Sequence, residues 1–158
     1  MKFIIYLFLC PFIIIGYMLK GLFFLISELK SNSKQSYYDT LLDDDLVKAL
    51  KRDGKFRRKY KQHLVIITSH GGSCPICKMW ENKILIDDIY SGGTMKDGNY
   101  VLLSKAIEKG LFHKGCRHGM TTYYPEADDI ENYTDEEYKN DIKYINDKID
   151  NILCKKKR

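Results

Sequence analysis

Residues 64–77 read LVIITSHGGSCPIC and place a short apolar run, followed by Ser69-His70, before two glycines and a pair of cysteines. The β-branched run at 64–68 predicts a buried strand, and Gly71-Gly72 predicts a tight turn after it. Cys74 and Cys77 then stand at C-x-x-C spacing, with a proline that restrains the turn between them. Close cysteine pairs of this kind often supply half of a tetrahedral metal site. The stretch therefore predicts a small domain that a metal ion stabilises.

A second pair of metal-ligand residues follows later in the chain. The stretch GLFHKGCRH, residues 110–118, holds a histidine and a cysteine at H-x-x-C spacing, with Gly115 free to adopt a positive φ. Soft or borderline ligands supplied as two close pairs are typical of tetrahedral zinc sites. We therefore predict one Zn²⁺ held by three thiolates and one imidazole: Cys74, Cys77, His113 and Cys116.

Alternatives to this ligand set stay open. His118 lies two residues from Cys116, and either His118 or His70 could replace His113 as the fourth ligand. A single C-x-x-C pair also occurs in thioredoxin-like redox proteins, and the cysteines could be purely structural. The glycine turn and the later H-x-x-C pair favour a metal over both of these readings.

The remaining patterns predict an α+β fold. Short strands are expected at 83–90 and 121–124, and a helix at 100–109 ends at Gly110. Together with the first strand they form a small zinc-stapled domain over residues 60–126, with one or two helices. A domain this short often needs a staple such as a metal.

Helical segments are predicted on both sides of this domain. Residues 29–59 read as a linker with a short amphipathic helix at 41–52. Residues 127–158 predict a C-terminal amphipathic helix with a basic end, Lys155 to Arg158. Its apolar stripe either packs on the domain or binds a partner helix, and a length of fewer than three heptads favours packing on the domain. The stripe consists of Tyr138, Ile142, Ile145, Ile149 and Ile152.

The N-terminal segment predicts a membrane anchor. Residues 1–28 contain an apolar run with a single internal charge, Lys20, and reach the roughly 20 residues that a transmembrane helix needs. A cleaved signal peptide is the alternative, but the run is long and no small-x-small cleavage site follows it. Positive charge after the segment predicts a single-pass protein with its C-terminal domain on the cytoplasmic side. The odd count of five cysteines agrees, because it indicates reduced thiols rather than a disulfide framework.

The net charge of +5 is concentrated in two basic clusters, Lys48 to Lys61 and Lys155 to Arg158. Such clusters can bind nucleic acid or anionic lipid. We interpret them as solvated faces, on the reading that they lack the interleaved aromatics of a base-stacking platform. A nucleic-acid binder that uses Lys55 to Lys61 is an alternative, and its affinity would fall steeply with salt.

A set of residues spread over 60–126 carries a family resemblance: Ser69-His70, Cys77, Trp80, residues 111–118 and Pro125. In this order the motifs resemble the C-terminal domain of the phage minor capsid protein 2 family. They are also distantly similar to the Mu-type phage head morphogenesis domain. The resemblance implies a minor structural component of a phage head, located in the virion near portal proteins and packaged DNA.

Two kinds of function fit these residues. The first is a structural or interaction role for a phage-derived, membrane-anchored zinc-binding domain, because no convincing catalytic pair accompanies the ligands. The second is a metal-dependent or His/Arg-based hydrolase, a nuclease or toxin-like effector, in which an arginine holds a phosphate and a histidine acts as general base. Its candidate catalytic residues are Ser69, His70, Arg117 and His118. The sequence favours the non-enzymatic role.

Overall fold

The computed structural model describes the backbone of residues 2–127 and 135–156, and the side chains of residues 15–127 and 136–152. The chain divides into two compact units, Met1–Ser36 and Tyr37–Arg158. Its elements follow a mixed α+β order: α1 (Lys2–Asp39), α2 (Asp44–Tyr60), β1 (Leu64–Ile67), α3 (Pro75–Lys78), β2 (Ile84–Ile86), β3 (Val101–Leu102), α4 (Leu103–Glu108), β4 (Met120–Thr122) and α5 (Asp135–Lys156).

The prediction of a transmembrane helix over residues 1–28 is wrong, and so is that part of the predicted fold class. Among the residues that the structure describes, no helix is both long enough and apolar enough to cross a bilayer. A crossing takes about 20 apolar residues, whereas the apolar run from Ile15 onward includes Lys20 and gives way to Ser27 and Glu28. The predicted single-pass membrane location with a cytoplasmic C-terminal domain is therefore wrong as well.

Helix α1 continues to Asp39, through a polar stretch that we expected to be a linker. Between Ser27 and Asp39 the sequence contains neither glycine nor proline, the residues that most often end a helix. Polar composition alone therefore did not indicate a break in the helix.

Helix α2 runs well beyond the predicted 41–52 segment. Its buried residues are Val47, Leu50, Gly54 and Arg57, which recur at helical spacing on one face. Glycine and arginine do not count as core residues in a search for apolar periodicity, so the last two turns were missed. The helix ends where Lys61 adopts a left-handed conformation with φ 55°.

A four-stranded sheet of order β3-β2-β1-β4 forms the centre of the C-terminal unit. β1 pairs antiparallel with β2 and with β4, whereas β2 and β3 are parallel. Val65, Ile67 and Leu85 are fully buried in this sheet. The core continues from them into α2, α4 and α5 through Leu50, Leu103 and Ile149.

Helix α5 packs its apolar stripe on the domain. Tyr138, Ile145 and Ile149 are buried, and the Tyr138 hydroxyl donates a hydrogen bond to the Ile84 carbonyl at 2.6 Å. The basic end at 155–158 lies outside the described side chains, as do residues 128–134. The stripe is thus used within the chain, as its short length led us to expect.

Candidate metal centre

The first two candidate ligands lie at the short helix α3. Cys74 is the N-cap residue, and its sulfur accepts a hydrogen bond from the Cys77 N–H at 3.3 Å. Pro75 fits the first helical position because the N–H that it lacks would have no partner there. Cys77 is fully buried, whereas Cys74 is half-buried. The C-x-x-C spacing and the helix cap together hold the two sulfurs close to each other.

The other pair comes from a tight turn between α4 and β4. Gly110 and Gly115 adopt positive φ values of 95° and 76°, and the Cys116 N–H donates to the His113 carbonyl at 2.9 Å. The Gly115 N–H donates to Asp43 Oδ2 at 2.7 Å. Asp43 occupies the N-cap of α2 without making a capping bond there. Its carboxylate therefore anchors the ligand turn, a role that the sequence did not indicate.

The structure brings the four predicted ligands together as two close pairs, with Cys77 common to the two groups that could hold a metal ion. His113 Nε2 lies 2.9 Å from Cys74 Sγ, and Cys77 Sγ lies 3.5 Å from Cys116 Sγ. Ligand atoms in a tetrahedral zinc site stand about 3.5–3.8 Å apart, given bonds of about 2.3 Å to sulfur and 2.0 Å to nitrogen. The observed separations are shorter than these values, by about 0.6 Å for the sulfur–nitrogen pair and about 0.3 Å for the two sulfurs, so the side chains would move apart to admit an ion. Cys74, Cys77 and His113 could therefore hold a metal ion.

Hydrogen bonds shift the pKa values of Cys74 and His113. Burial raises the pKa of the Cys74 thiol, but the Cys77 N–H and the His113 imidazole outweigh it and hold that pKa below its usual value. The pKa of His113 is raised, first by the Lys114 carbonyl, which lies 2.9 Å from Nδ1, and then by Cys74. Burial raises the pKa of the Cys77 thiol. Since metals bind thiolates, Cys74 is closer to its ligand form than Cys77 when no metal is bound.

His118 also contacts Cys116 and is only 3 % exposed. Its Nδ1 is 3.2 Å from Cys116 Sγ, and its Nε2 is 2.8 Å from Glu81 Oε1. A carboxylate on the outer nitrogen of a histidine is a recurrent way of orienting a metal ligand. Cys77, Cys116 and His118 form a second group that could hold a metal ion. His113 and His118 are thus both placed within reach of the thiols.

His70 approaches the same group from the end of β1. Its Nε2 lies 3.2 Å from His118 Nδ1, and the two rings are 4.2 Å apart between centroids. Thr68 and Gly119 bring the two histidines together, because the Thr68 N–H donates to the Gly119 carbonyl at 3.1 Å. His70 contacts the cluster through His118, and it belongs to neither of the two possible metal-binding groups.

The predicted catalytic residues are only partly brought together. Arg117 is exposed and lines a cavity of about 160 Å³ with His70 and His118, beside Cys74 and Cys116. Ser69 is exposed and is not among the described residues that line this cavity.

Glu81 is a site residue that the sequence did not reveal. Besides His118, its carboxylate contacts the Ser73 hydroxyl and accepts a bond from the His70 N–H at 3.5 Å. The hydrogen bonds from Ser73 and then from His118 lower the pKa of the Glu81 carboxyl. A single glutamate after a cysteine pair forms no recognisable pattern, and His118 lies 37 residues further along the chain. Only the folded chain shows that the two residues meet.

The family model of phage minor capsid protein 2 matches residues 47–158, which is more than half of the chain. The chain belongs to the phage minor capsid protein 2 family. This confirms the resemblance that the sequence motifs indicated. The matched region contains all the cysteines and histidines of the centre, and it extends past 60–126 to include most of α2 and all of α5. No curated protein and no solved structure matches the chain significantly.

Proposed function

We propose that this phage minor capsid domain has a structural role that depends on one bound Zn²⁺. The observation that supports it is that two distant segments bring His113 to Cys74 and Cys116 to Cys77, and that Cys74, Cys77 and His113 form a group that could hold a metal ion. A tetrahedral donor set of sulfur with nitrogen is typical of zinc. The four ligands would be Cys74, Cys77, His113 and Cys116.

Such an ion would act as a cross-link. It would join α3 to the turn before β4, which the chain connects only through β2, β3 and α4. Three thiolates with Zn²⁺ leave a net charge of about −1. Lys78, Lys114 and Arg117 are exposed neighbours of the ligands and offset that charge. Because folding and binding are coupled at such sites, loss of the metal would destabilise the whole domain.

The proposal is tested by measuring metal in the purified full-length chain. We expect one zinc per chain by mass spectrometry of the acid-digested protein, and an unfolding temperature that falls after treatment with a strong chelator. Cys77→Ser and Cys116→Ser should abolish stoichiometric zinc. The matched control is His63→Ala, because His63 bonds Ser91 Oγ at 3.1 Å, outside the cluster. A metal-free native chain, or full zinc content in both cysteine variants, would refute the proposal.

The family suggests where this structural role is exercised. We place the protein with the phage particle and take head or portal proteins as its partners. Cosedimentation with assembled particles should be retained in the wild type and lost in Cys77→Ser, if the zinc-stapled fold is what those proteins recognise. Equal cosedimentation of the two would contradict this.

A second candidate function is hydrolysis of nucleic acid. The observation that favours it is the contact between His70 and His118 at the cavity that Arg117 also lines. Arg117 would hold a phosphate and His70 would take up a proton. Incubation with labelled DNA and RNA decides it. Cleavage that is lost in His70→Ala and Arg117→Ala but kept in His63→Ala supports a hydrolase, and zinc binding without cleavage supports the structural role.

A further inference from the structure

The outward side of α2 carries an exposed aromatic pair among cations. We call this the basic aromatic face and define it as Arg52, Lys55, Phe56, Lys59 and Tyr60. Phe56 and Tyr60 are 53 % and 52 % exposed, and their ring centroids lie 4.6 Å apart. Lys59 Nζ stands 5.3 Å from the centre of the Tyr60 ring. The two rings therefore contact each other and a cation while both remain open to solvent.

The fold gives this face no packing role. α2 packs on the domain with its opposite side, where Val47, Leu50, Gly54 and Arg57 are buried. At 3.6 residues per turn, positions 52, 55 and 59 lie away from that buried side. Phe56 and Tyr60 thus keep about half of their surface in water, beside a well-packed core that they do not join.

The charge of the face is largely uncompensated. Arg52 Nε lies 2.9 Å from Asp53 Oδ1, and an exposed ion pair of this kind is held together only weakly in water. Lys55 and Lys59 make no ion pair with the side chains that the structure describes. They stand one turn apart, about 6 Å along the helix axis, as do Phe56 and Tyr60. Cations and rings thus form two adjacent rows along one helix.

We propose that the basic aromatic face binds single-stranded nucleic acid. The lysines and the arginine contact backbone phosphates, and the two rings provide faces on which bases stack. A cationic surface that tracks the backbone, combined with exposed aromatic rings, is the usual basis of sequence-independent single-strand binding. Duplex DNA keeps its bases stacked inside and would use only the cations.

An anionic membrane matches the same face less well. A membrane-surface helix inserts a broad apolar side into the lipid, but the apolar side of α2 is already buried in the domain. Only Phe56 and Tyr60 would be left to insert.

The position of these two rings also corrects our interpretation of residues 48–61 as a solvated face without aromatics, because both rings lie among the cations. The inference is independent of the proposed zinc site, whose ligands lie elsewhere in the chain.

The test is fluorescence anisotropy of a labelled oligothymidine with the full-length chain across a series of salt concentrations. We expect binding that weakens as salt rises. Phe56→Ala and Tyr60→Ala should each lower the affinity about tenfold. Lys55→Gln with Lys59→Gln should lower the slope of log K against log salt by about 1.4, since each contact to a single strand contributes about 0.7.

The chain offers a matched control on α5. Tyr144 is 59 % exposed, and Lys148 Nζ stands 5.3 Å from its ring. Tyr144→Ala with Lys148→Gln should leave oligothymidine binding unchanged. Circular dichroism should show all these exposed variants to be folded like the parent.

Three results would overturn the proposal. The first is no binding of oligothymidine at low salt. The second is equal affinity for the duplex with no effect of Phe56→Ala. The third is binding to phosphatidylserine vesicles that the Phe56 and Lys55 variants abolish while oligothymidine fails to compete, which would assign the face to a membrane.

Discussion

Glu81 and His118 form a hydrogen-bonded pair behind the thiols, with 2.8 Å between Glu81 Oε1 and His118 Nε2. The other nitrogen of His118 faces Cys116 Sγ at 3.2 Å. His70 Nε2 lies at the same distance, 3.2 Å, from that nitrogen. If Nδ1 binds a metal ion, Glu81 holds the opposite nitrogen and so orients the ring towards the thiols.

The first prediction follows from this pair. Glu81→Gln should weaken metal binding by about 10–100-fold, because the amide orients the His118 ring less firmly than the carboxylate does. Competition with a chromogenic chelator measures the affinity. Glu126→Gln, at an exposed glutamate away from the cluster, is the control. Unchanged affinity in Glu81→Gln would show that the pair takes no part in the site.

A second prediction separates the two histidines. His113→Ala should cost more metal affinity than His118→Ala, since His113 completes the paired H-x-x-C set, whereas His118 Nδ1 has a second neighbour, His70 Nε2, at 3.2 Å. Substitution with Co²⁺ gives a spectroscopic readout, because loss of a ligand alters the visible bands of a tetrahedral thiolate site. The reverse order of affinities would assign His118 as the fourth ligand.

The sequence was enough to predict the two ligand pairs, but not the residues that hold them in place. Local spacing is enough to predict that Cys74 and Cys77, or His113 and Cys116, lie close together. Glu81 and Asp43 reach the site only through the tertiary fold, so no local pattern could reveal them. The transmembrane prediction counted an apolar run that tolerated Lys20 and extended to residue 27, whereas no helix among the described residues is both long and apolar enough to cross a bilayer.

The buried ion pair of Arg57 and Asp87 gives a third prediction. The two side chains are 1 % and 0 % exposed, and Arg57 Nη2 donates to Asp87 Oδ2 at 2.9 Å. Arg57→Met leaves the buried carboxylate without its partner and should lower the free energy of unfolding by about 3–5 kcal/mol. Urea denaturation measures it. Arg52→Met, at an exposed ion pair, should change it far less, because solvent screens that pair. Equal effects of the two would contradict the role of burial.

Gly54 provides a fourth prediction, because α2 passes directly over Tyr90 at this point. A Cβ at residue 54 would stand 2.4 Å from Tyr90 Cβ and 2.9 Å from the Tyr90 carbonyl carbon. Gly54→Ala should therefore destabilise the domain by about 1–3 kcal/mol, although alanine favours a helix over glycine by about 1 kcal/mol. Gly21→Ala in α1 meets open space and should not lower helix stability. A rise in melting temperature for Gly54→Ala would rule out the close approach.

The last prediction concerns stability at alkaline pH. Burial and a hydrogen bond to Glu108 raise the pKa of Tyr38 to about 12, and burial also raises the pKa values of Tyr90 and Tyr138. A pKa that is higher in the folded than in the unfolded chain gives stability that is complete below about pH 10 and is lost as pH rises towards the folded value. Urea unfolding between pH 9 and about 12 should therefore show a steep fall in the free energy of unfolding.

Tyr38→Phe removes a hydrogen bond and should lower the free energy of unfolding by about 0.5–1.5 kcal/mol at neutral pH. Above about pH 10 the free energy of unfolding of this variant should fall less steeply than that of the parent. Tyr144→Phe, at an exposed tyrosine, should follow the parent throughout. A parallel fall of the Tyr38→Phe and parent curves above pH 10 would mean that Tyr38 ionises as freely in the folded chain as in the unfolded one.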